Sequence, residues 1–231
     1  VLLIYVDDMG WAQPGCYGGR MAATPNMDAL AAGGVRFTDG YVSACICSPS
    51  RVGLMTGRYQ ARSGHDGNPS RPGSELVLSE TTLAQRMKAA GYVTGIVGKW
   101  HLGTTSPPFM PASRGFDSSF GTMGNLGEKQ GPTFYRGLDA IPDPPGAPVT
   151  SPIYARESAQ FMEANRDKPW FLYLAFNAVH APHVASEKWL AKFKDLPKHD
   201  AQYAALVAEA DEAVGTVMAK LRELKLEENT L

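Results

Sequence analysis

The chain has 231 residues, 44% of them hydrophobic and 19% charged, which is typical of a soluble globular protein with one domain or two small ones. Its formal net charge of −1 provides no broad basic surface, so we predict no nucleic-acid partner. No apolar run approaches the roughly 20 residues that a membrane span needs, so no span is predicted. Cys16, Cys45 and Cys47 are an odd number of thiols and imply no paired disulfide framework.

The first predicted element is a strand at residues 1–6, whose continuous apolar run suits a parallel strand buried on both faces. Asp7 and Asp8 follow at once, at the end of the strand where open α/β sheets place their ligands. Adjacent carboxylates repel each other unless a cation neutralises them, and hard divalent ions prefer carboxylate oxygens. The pair therefore indicates either a metal site or an acidic turn or helix cap.

A helix is predicted next, because Pro25 suits a first helical position and Gly33 and Gly34 would end it. The chain then reaches Cys47, with Arg51 four residues later and a proline between them. A guanidinium near a thiol in a Pro-constrained turn would favour the thiolate, which makes Cys47 a candidate reactive group. The alternative is a buried structural cysteine beside a structural arginine.

The polar, Gly-rich loop at residues 63–69 carries His65 and Asp66. We interpret it as a solvated turn, with a place at a functional site as the alternative. A helix that starts within residues 79–83 is followed by a strand at residues 92–97, which completes a strand-helix-strand order. That order favours a parallel sheet with right-handed crossovers.

Lys99 and His101 come after that strand, and alternation along an extended segment would put them on the same side. A lysine and a histidine that converge at a strand end can bind an oxyanion and transfer a proton. The alternative for either residue alone is an exposed side chain with its hydrogen bonds satisfied.

Residues 104–151 are rich in proline and glycine, and we interpret this irregular stretch as a substrate-facing loop region. A helix is predicted over residues 153–165 and a buried strand over residues 169–176. The strand leads into a short segment that contains His180 and His183.

The last predicted element is an amphipathic helix over residues 201–226, with apolar side chains spaced for burial. Gly215 inside it would be tolerated where a neighbouring element packs closely. Packing or helix capping is a sufficient explanation for Asp211, so we predict no chemistry in this helix.

Four blocks of the sequence resemble motifs of the type I sulfatases. They are Asp7-Asp8, the string Cys-Ser-Pro-Ser-Arg with the Leu and Thr-Gly-Arg that follow (residues 47–58), Gly-Lys-Trp-His-Leu-Gly (98–103) and His-Ala-Pro-His (180–183). The resemblance covers almost the whole chain. It implies an α/β fold, the alkaline-phosphatase-like α/β/α sandwich with a largely parallel central sheet, and an enzyme that hydrolyses a sulfate ester to an alcohol and inorganic sulfate.

In this family the motif cysteine becomes formylglycine (3-oxoalanine), whose hydrate is the nucleophile. The resemblance therefore implies that a formylglycine-generating enzyme converts Cys47. One hydroxyl of the hydrate would attack sulfur, and deprotonation of the other would expel sulfate and regenerate the aldehyde, which splits one difficult step into two. A thiol has no such internal route for releasing sulfate.

The resemblance also implies a role for each remaining site residue. The implied catalytic residues are Cys47, Arg51, Lys99, His101 and His180. Arg51 would stabilise the hydrate and the developing charge, Lys99 and His180 would bind sulfate, and His101 would be the base for the elimination step. A divalent metal, Ca²⁺ with Mg²⁺ as the alternative, would be held by Asp7, Asp8 and residue 47, whereas His183 is secondary or structural.

By the same resemblance, residues 1–231 would be an incomplete N-terminal catalytic domain, inactive and poorly stable alone. Further metal ligands, the C-terminal part of the domain and a small C-terminal subdomain would lie beyond Leu231. The expected substrate is a sulfated small molecule or glycan, and the family fits a periplasmic or secreted location. Two alternatives stay open, a phosphonate monoester or phosphodiester hydrolase of the same superfamily and a non-catalytic anion-binding homologue.

Overall fold

The computed structural model describes residues 1–69, 74–127 and 133–231. Its strands are β1 (Leu2–Val6), β2 (Val93–Gly98), β3 (Ser118–Thr122), β4 (Phe134–Arg136), β5 (Asp139–Ile141) and β6 (Trp170–Phe176). Its α-helices are α1 (Pro25–Gly33), α2 (Cys47–Thr56), α3 (Leu83–Ala89), α4 (Ser151–Ala164), α5 (Glu187–Leu190) and α6 (Lys198–Glu223). The helices in these described ranges are too short or too polar to cross a membrane.

The six strands form one mixed sheet in the order β1-β6-β2-β3-β4-β5. Strands β1, β6, β2 and β3 are parallel to one another, while β4 and β5 pair antiparallel. The predicted α/β fold with a largely parallel sheet is confirmed. The strands at residues 1–6, 92–97 and 169–176 are β1, β2 and β6, each displaced by at most one residue at either end.

Helices cover both faces of the sheet, because β6 alternates its side chains between two apolar cores. One core contains Trp170, Leu172, Leu174 and Phe176 together with side chains of α4 and α6. The other contains Phe171, Tyr173 and Ala175 together with side chains of α2 and α3. Every residue of β6 is buried, as expected for a central strand of an α/β/α sandwich.

The interpretation of residues 104–151 as wholly irregular is wrong, because this stretch contains β3, β4 and β5. These strands are three to five residues long and include serines and a glycine, so they lack a recognisable apolar alternation. The β4–β5 pair is a hairpin whose two-residue turn starts at Gly137, at φ 63°, a value that glycine adopts without strain. Backbone pairing, rather than residue pattern, defines this half of the sheet.

Helix α6 also holds α1 in place, through hydrogen bonds to Asp211. The Asp211 carboxylate accepts hydrogen bonds from the backbone N–H groups of Asn26 and Met27 and from the Asn26 amide, at 2.8–3.2 Å. Asp211 therefore caps the first turn of α1 from another helix, which is the capping role considered for it. Gly215 lies opposite Asn26, where a Cβ atom would be 2.5 Å from Asn26 Oδ1, so the predicted close packing is confirmed.

Candidate active site

The candidate site lies where the carboxyl ends of β1, β6 and β2 meet. Because β6 lies between β1 and β2 and all three are parallel, the residues that follow them share one edge of the sheet. Asp7 follows β1 and Lys99 follows β2, and Lys99 Nζ donates a 2.5 Å hydrogen bond to Asp7 Oδ2. Two groups that are 92 residues apart in sequence thus form one buried ion pair.

A second cation joins this pair. Arg51 Nη2 lies 3.4 Å from Asp7 Oδ1, and the side chains of Arg51 and Lys99 are fully buried. Burial raises the pKa of Asp7, but the positive charges of Arg51 and Lys99 together lower it by more than burial raises it. The carboxyl pKa is therefore below its usual value, and the group is ionised. Two buried cations against one carboxylate leave excess positive charge, which favours binding of an anion.

Tyrosines hold Arg51 in this position. Its Nη1 donates to the carbonyl oxygen of Lys99 at 2.7 Å and to the Tyr173 hydroxyl at 3.2 Å. Its Cζ atom lies 4.8 Å from the centre of the Tyr5 ring, within reach of a cation–π interaction. Within the described chain, the buried Arg51 Nε and Nη2 have no hydrogen-bond partner. Nη2 faces Asp7 Oδ1 at 3.4 Å, so Nε is the donor available to an oxyanion.

Cys47 is the first residue of α2, so the prediction of a Pro-constrained turn is wrong. Pro49 lies within the first helical turn, where its missing N–H costs nothing. Cys47 and Arg51 are four residues apart on this helix and therefore share a face. Helix geometry, rather than a turn, brings the two residues of the motif together.

The nearby cations lower the Cys47 pKa, as expected, but they do not determine its net direction. Burial has the largest effect and raises the thiol pKa, and the charges of Asp7 and Asp8 also raise it. Lys99 lowers the pKa, and Arg51 lowers it by a smaller amount than Lys99 does. The result is a pKa above the usual value, so Cys47 is a protonated thiol at neutral pH. Unmodified Cys47 is therefore a poor nucleophile in this setting.

His101 is buried close to the same charges, although alternation along a strand is not the reason. Strand β2 ends at Gly98, and His101 has φ 57°, in the left-handed region. Burial, followed by the charges of Lys99 and Arg51, lowers the pKa of His101 to about 3. The neutral ring has a buried Nδ1 without a hydrogen-bond partner in the described structure, so it can accept a proton once an anion offsets the cations.

The predicted metal ligands come together in part. Ligand atoms of Asp7, Cys47 and His180 lie within 4.8 Å of one another, a spacing that can hold a metal ion. Asp8 is outside this group; its side chain is half exposed, and its Oδ2 lies 3.6 Å from His180 Nε2. Carboxylate and imidazole donors suit a divalent cation, which would compete with Lys99 and Arg51 for the oxygens of Asp7. An oxygen in place of the Cys47 sulfur would suit a hard ion better.

Two residues, Asn125 and Tyr173, contribute to the site without having been predicted there, and His65 lies next to it, as its alternative interpretation proposed. Asn125 Oδ1 accepts a 2.5 Å hydrogen bond from Lys99 Nζ, and the Tyr173 hydroxyl contacts Arg51. His65 is buried and shares a 2.6 Å hydrogen bond with Ser48, so its interpretation as part of a solvated turn is wrong. Asn125 lies just after β3, and recognising that strand would have pointed to it.

His183 has a packing role, as one of its two predicted alternatives proposed. Its ring centre lies 5.1 Å from that of His199 and 5.6 Å from that of Tyr203, both in edge-on geometry. These contacts join the segment after β6 to the start of α6. They explain His183 without a direct part in the chemistry.

Comparisons with known proteins agree with this geometry. A family model described as Sulfatase matches residues 1–231. Arylsulfatase A of Homo sapiens is 36% identical over 260 residues, which cover the whole chain and 50% of that relative. N-acetylgalactosamine-6-sulfatase of Homo sapiens is 36% identical over 256 residues, which cover the whole chain and 48% of that relative.

Among solved structures, Ps i-CgsB in complex with k-i-k-neocarrahexaose superimposes with a TM-score of 0.88 at 29% identity. The match covers 97% of this chain and 55% of that one. The chain spans about half the length of the curated relatives it matches. Its sequence blocks, its sheet and the whole-chain family match lead to one conclusion, which is that the chain belongs to the sulfatase family.

Proposed function

We propose that the whole protein hydrolyses a sulfate ester to an alcohol and inorganic sulfate. The single observation that carries this proposal is the buried group of Arg51, Lys99 and Asp7 beside Cys47. Its excess positive charge suits a sulfate group, and the Cys47 sulfur lies within 4.8 Å of a carboxylate oxygen of Asp7. Membership of the sulfatase family supports the same reaction.

The nucleophile we propose is residue 47 after conversion to formylglycine by a formylglycine-generating enzyme. The hydrated aldehyde would supply one hydroxyl to attack sulfur and a second whose deprotonation releases sulfate. The Cys-Ser-Pro-Ser-Arg string at residues 47–51 and membership of the sulfatase family support this modification.

Lys99 and Arg51 would bind the sulfate group and stabilise the charge that develops on it. Lys99 also contacts Asn125, which positions the ammonium group between an amide and a carboxylate. Arg51 Nε, which has no hydrogen-bond partner in the described structure, would complete the oxyanion contacts. Each well-placed donor of this kind contributes on the order of 3 kcal/mol to transition-state stabilisation.

His101 would act as the base for the elimination step, and His180 would contact the sulfate or the leaving group. The low pKa of His101 keeps its ring neutral, as a base must be before it accepts a proton. Sulfate bound beside Lys99 and Arg51 would offset their charges, raise this pKa and make the ring a stronger base at the moment it is needed.

A divalent metal is part of the proposal, and Ca²⁺ is the ion we propose. Asp7, Asp8 and an oxygen of modified residue 47 would hold it, with His180 beside them. Oxygen ligands suit Ca²⁺, with Mg²⁺ as the alternative. When bound, the ion would polarise sulfate oxygens and lower the pKa of the hydrate.

We also propose that the remaining metal ligands come from the half of the protein that the matched relatives have and this chain lacks. Residues 1–231 would then be the N-terminal part of the catalytic domain. On this basis residues 1–231 alone would be inactive, whereas the full-length protein would hydrolyse the sulfate ester.

The substrate class we propose is a sulfated glycan. Ps i-CgsB was crystallised with a neocarrahexaose, and one curated relative is named for N-acetylgalactosamine 6-sulfate chemistry. The phosphonate hydrolase alternative is not favoured, because the relatives that share 36% identity with this chain are named as sulfatases.

The test uses the full-length protein produced together with a formylglycine-generating enzyme. Mass spectrometry of the peptide that contains residue 47 should show loss of the thiol sulfur and gain of an aldehyde oxygen. The protein should then release sulfate from an aryl sulfate and from sulfated oligosaccharides, and a Cys47→Ala variant should not. Modified protein that cleaves an aryl phosphonate faster than the matching aryl sulfate would contradict the proposal.

A further inference from the structure

The first turn of α2 is held from outside the helix. Ile46 is the N-cap residue, and its apolar side chain makes no capping hydrogen bond. Apolar residues are poor caps, because the first N–H groups of a helix need an acceptor. The helix that begins with Cys47 therefore needs another acceptor to fix its start.

The loop at residues 60–69 supplies this acceptor. Asn68 Oδ1 accepts a 3.1 Å hydrogen bond from the backbone N–H of Ser48, in place of an N-cap side chain. His65 Nε2 shares a 2.6 Å hydrogen bond with the Ser48 hydroxyl. Ser48 is fully buried and His65 is 5% exposed, so the second bond is shielded from water.

The loop is itself held in place by a backbone hydrogen bond, which fixes the position of its contacts with Ser48. The backbone N–H of His65 donates to the carbonyl oxygen of Gln60 at 3.2 Å, which closes the turn that carries the imidazole. Ser48 is thus bonded through both its backbone and its side chain to one loop. No contact of this loop with Arg51, Lys99 or Asp7 is needed for the effect.

We propose that His65 and Asn68 are positioning residues for the nucleophile. They act through Ser48, which is covalently joined to Cys47, and they fix the direction in which the side chain of residue 47 leaves the helix. A misplacement of about 1 Å can cost roughly 100-fold in rate, so two bonds at the neighbouring residue are enough to matter. The kinetic part of this inference rests on the proposed sulfatase function.

The kinetic test uses the full-length, formylglycine-bearing protein and an aryl sulfate, with rates expressed per mole of modified residue 47. We expect His65→Ala and Asn68→Ala to lower kcat about 10-fold to 100-fold with KM within about twofold. Asn68→Asp, which keeps an oxygen acceptor in the place of Oδ1, and His65→Gln, which keeps a polar group near Nε2, should recover most of the rate. Arg62→Ala, an exposed change in the same loop, is the matched control.

A double-mutant cycle separates positioning from general damage. If His65 acts through the Ser48 hydroxyl, Ser48→Ala combined with His65→Ala should cost no more in kcat than either change alone. Multiplicative losses, or losses that match a fall in Tm and are not rescued by the conservative variants, would overturn the proposal. So would a kcat within twofold of the parent for both alanine variants.

A second readout does not depend on turnover. In protein produced without the modifying enzyme, Cys47 keeps its half-buried thiol, and exposed Cys45 provides an internal reference. His65→Ala and Asn68→Ala should raise the alkylation rate of Cys47 about tenfold relative to Cys45, because the first helical turn opens more often. An unchanged ratio would overturn the positioning role, whereas a parent enzyme that releases no sulfate would overturn only the proposed function.

Discussion

Asp211 is predicted to be the most costly single carboxylate to remove outside the active site. Its buried side chain accepts hydrogen bonds from three donor groups at the start of α1, two of them backbone N–H groups. Loss of a helix cap costs about 1 kcal/mol, and a hydrogen bond to a charged acceptor contributes about 1.5–3 kcal/mol. Since these contributions overlap, we expect Asp211→Ala to lower the free energy of unfolding by about 3 kcal/mol.

Urea denaturation and thermal melting of the full-length protein would measure this loss, which corresponds to a Tm lower by roughly 3 °C for a chain about twice as long as residues 1–231. Asp211→Asn keeps one carbonyl oxygen as an acceptor and should lose about half as much. Asp195→Ala, an exposed carboxylate ahead of α6, is the control and should change stability by less than about 0.5 kcal/mol. A loss below about 1 kcal/mol for Asp211→Ala would refute the capping argument.

Three further predictions follow from other contacts. Lys99→Met should lower kcat/KM for an aryl sulfate about 100-fold to 1,000-fold, and retained activity would remove Lys99 from the oxyanion site. Gly215→Ala should destabilise the protein by about 1 kcal/mol in urea titrations. The clash of the new methyl group with Asn26 costs about 1–3 kcal/mol, which exceeds the gain of about 1 kcal/mol in helix propensity. A stabilised variant would contradict this. Burial raises the pKa of Asp117, but hydrogen bonds from Lys88 and Thr94 lower it below its usual value. Its stabilising contribution is therefore present above about pH 4 and lost below it, so the stability difference between parent and Asp117→Asn should shrink as pH falls from 7 to 3 in urea titrations, and a constant difference would contradict it.

The main features of the fold were predictable because the long buried strands are visible in the sequence as continuous apolar runs. Residues 1–6 and 169–176 are apolar throughout, as a strand covered on both faces requires. Parallel order then implies that Asp7 and Lys99 end at one edge of the sheet, and they do. The motif resemblance supplied Cys47 and Arg51, whose shared helical face needs no long-range information.

The rest depends on contacts that local sequence does not encode. His65 has a polar, Gly-rich neighbourhood typical of a turn, yet a hydrogen bond to Ser48, 17 residues away, accompanies its burial. The pKa of Cys47 is raised instead of lowered, because burial and two carboxylates outweigh the cations. The sizes of these effects depend on distances and burial in the folded protein, which the local sequence does not give. His101 reaches the site through a left-handed backbone conformation that no alternation rule predicts.

The position of β6 has a consequence for the order in which the protein is made. This strand is the last of the six in the chain, yet it lies between β1 and β2, which make no pairing with each other in the described sheet. On the ribosome the parallel sheet cannot close until residue 176 has emerged. Until then Asp7, Cys47 and Lys99 belong to separate segments, so the buried charged group beside residue 47 cannot assemble. The modification proposed for residue 47 would therefore meet the least steric hindrance before β6 takes its place between β1 and β2.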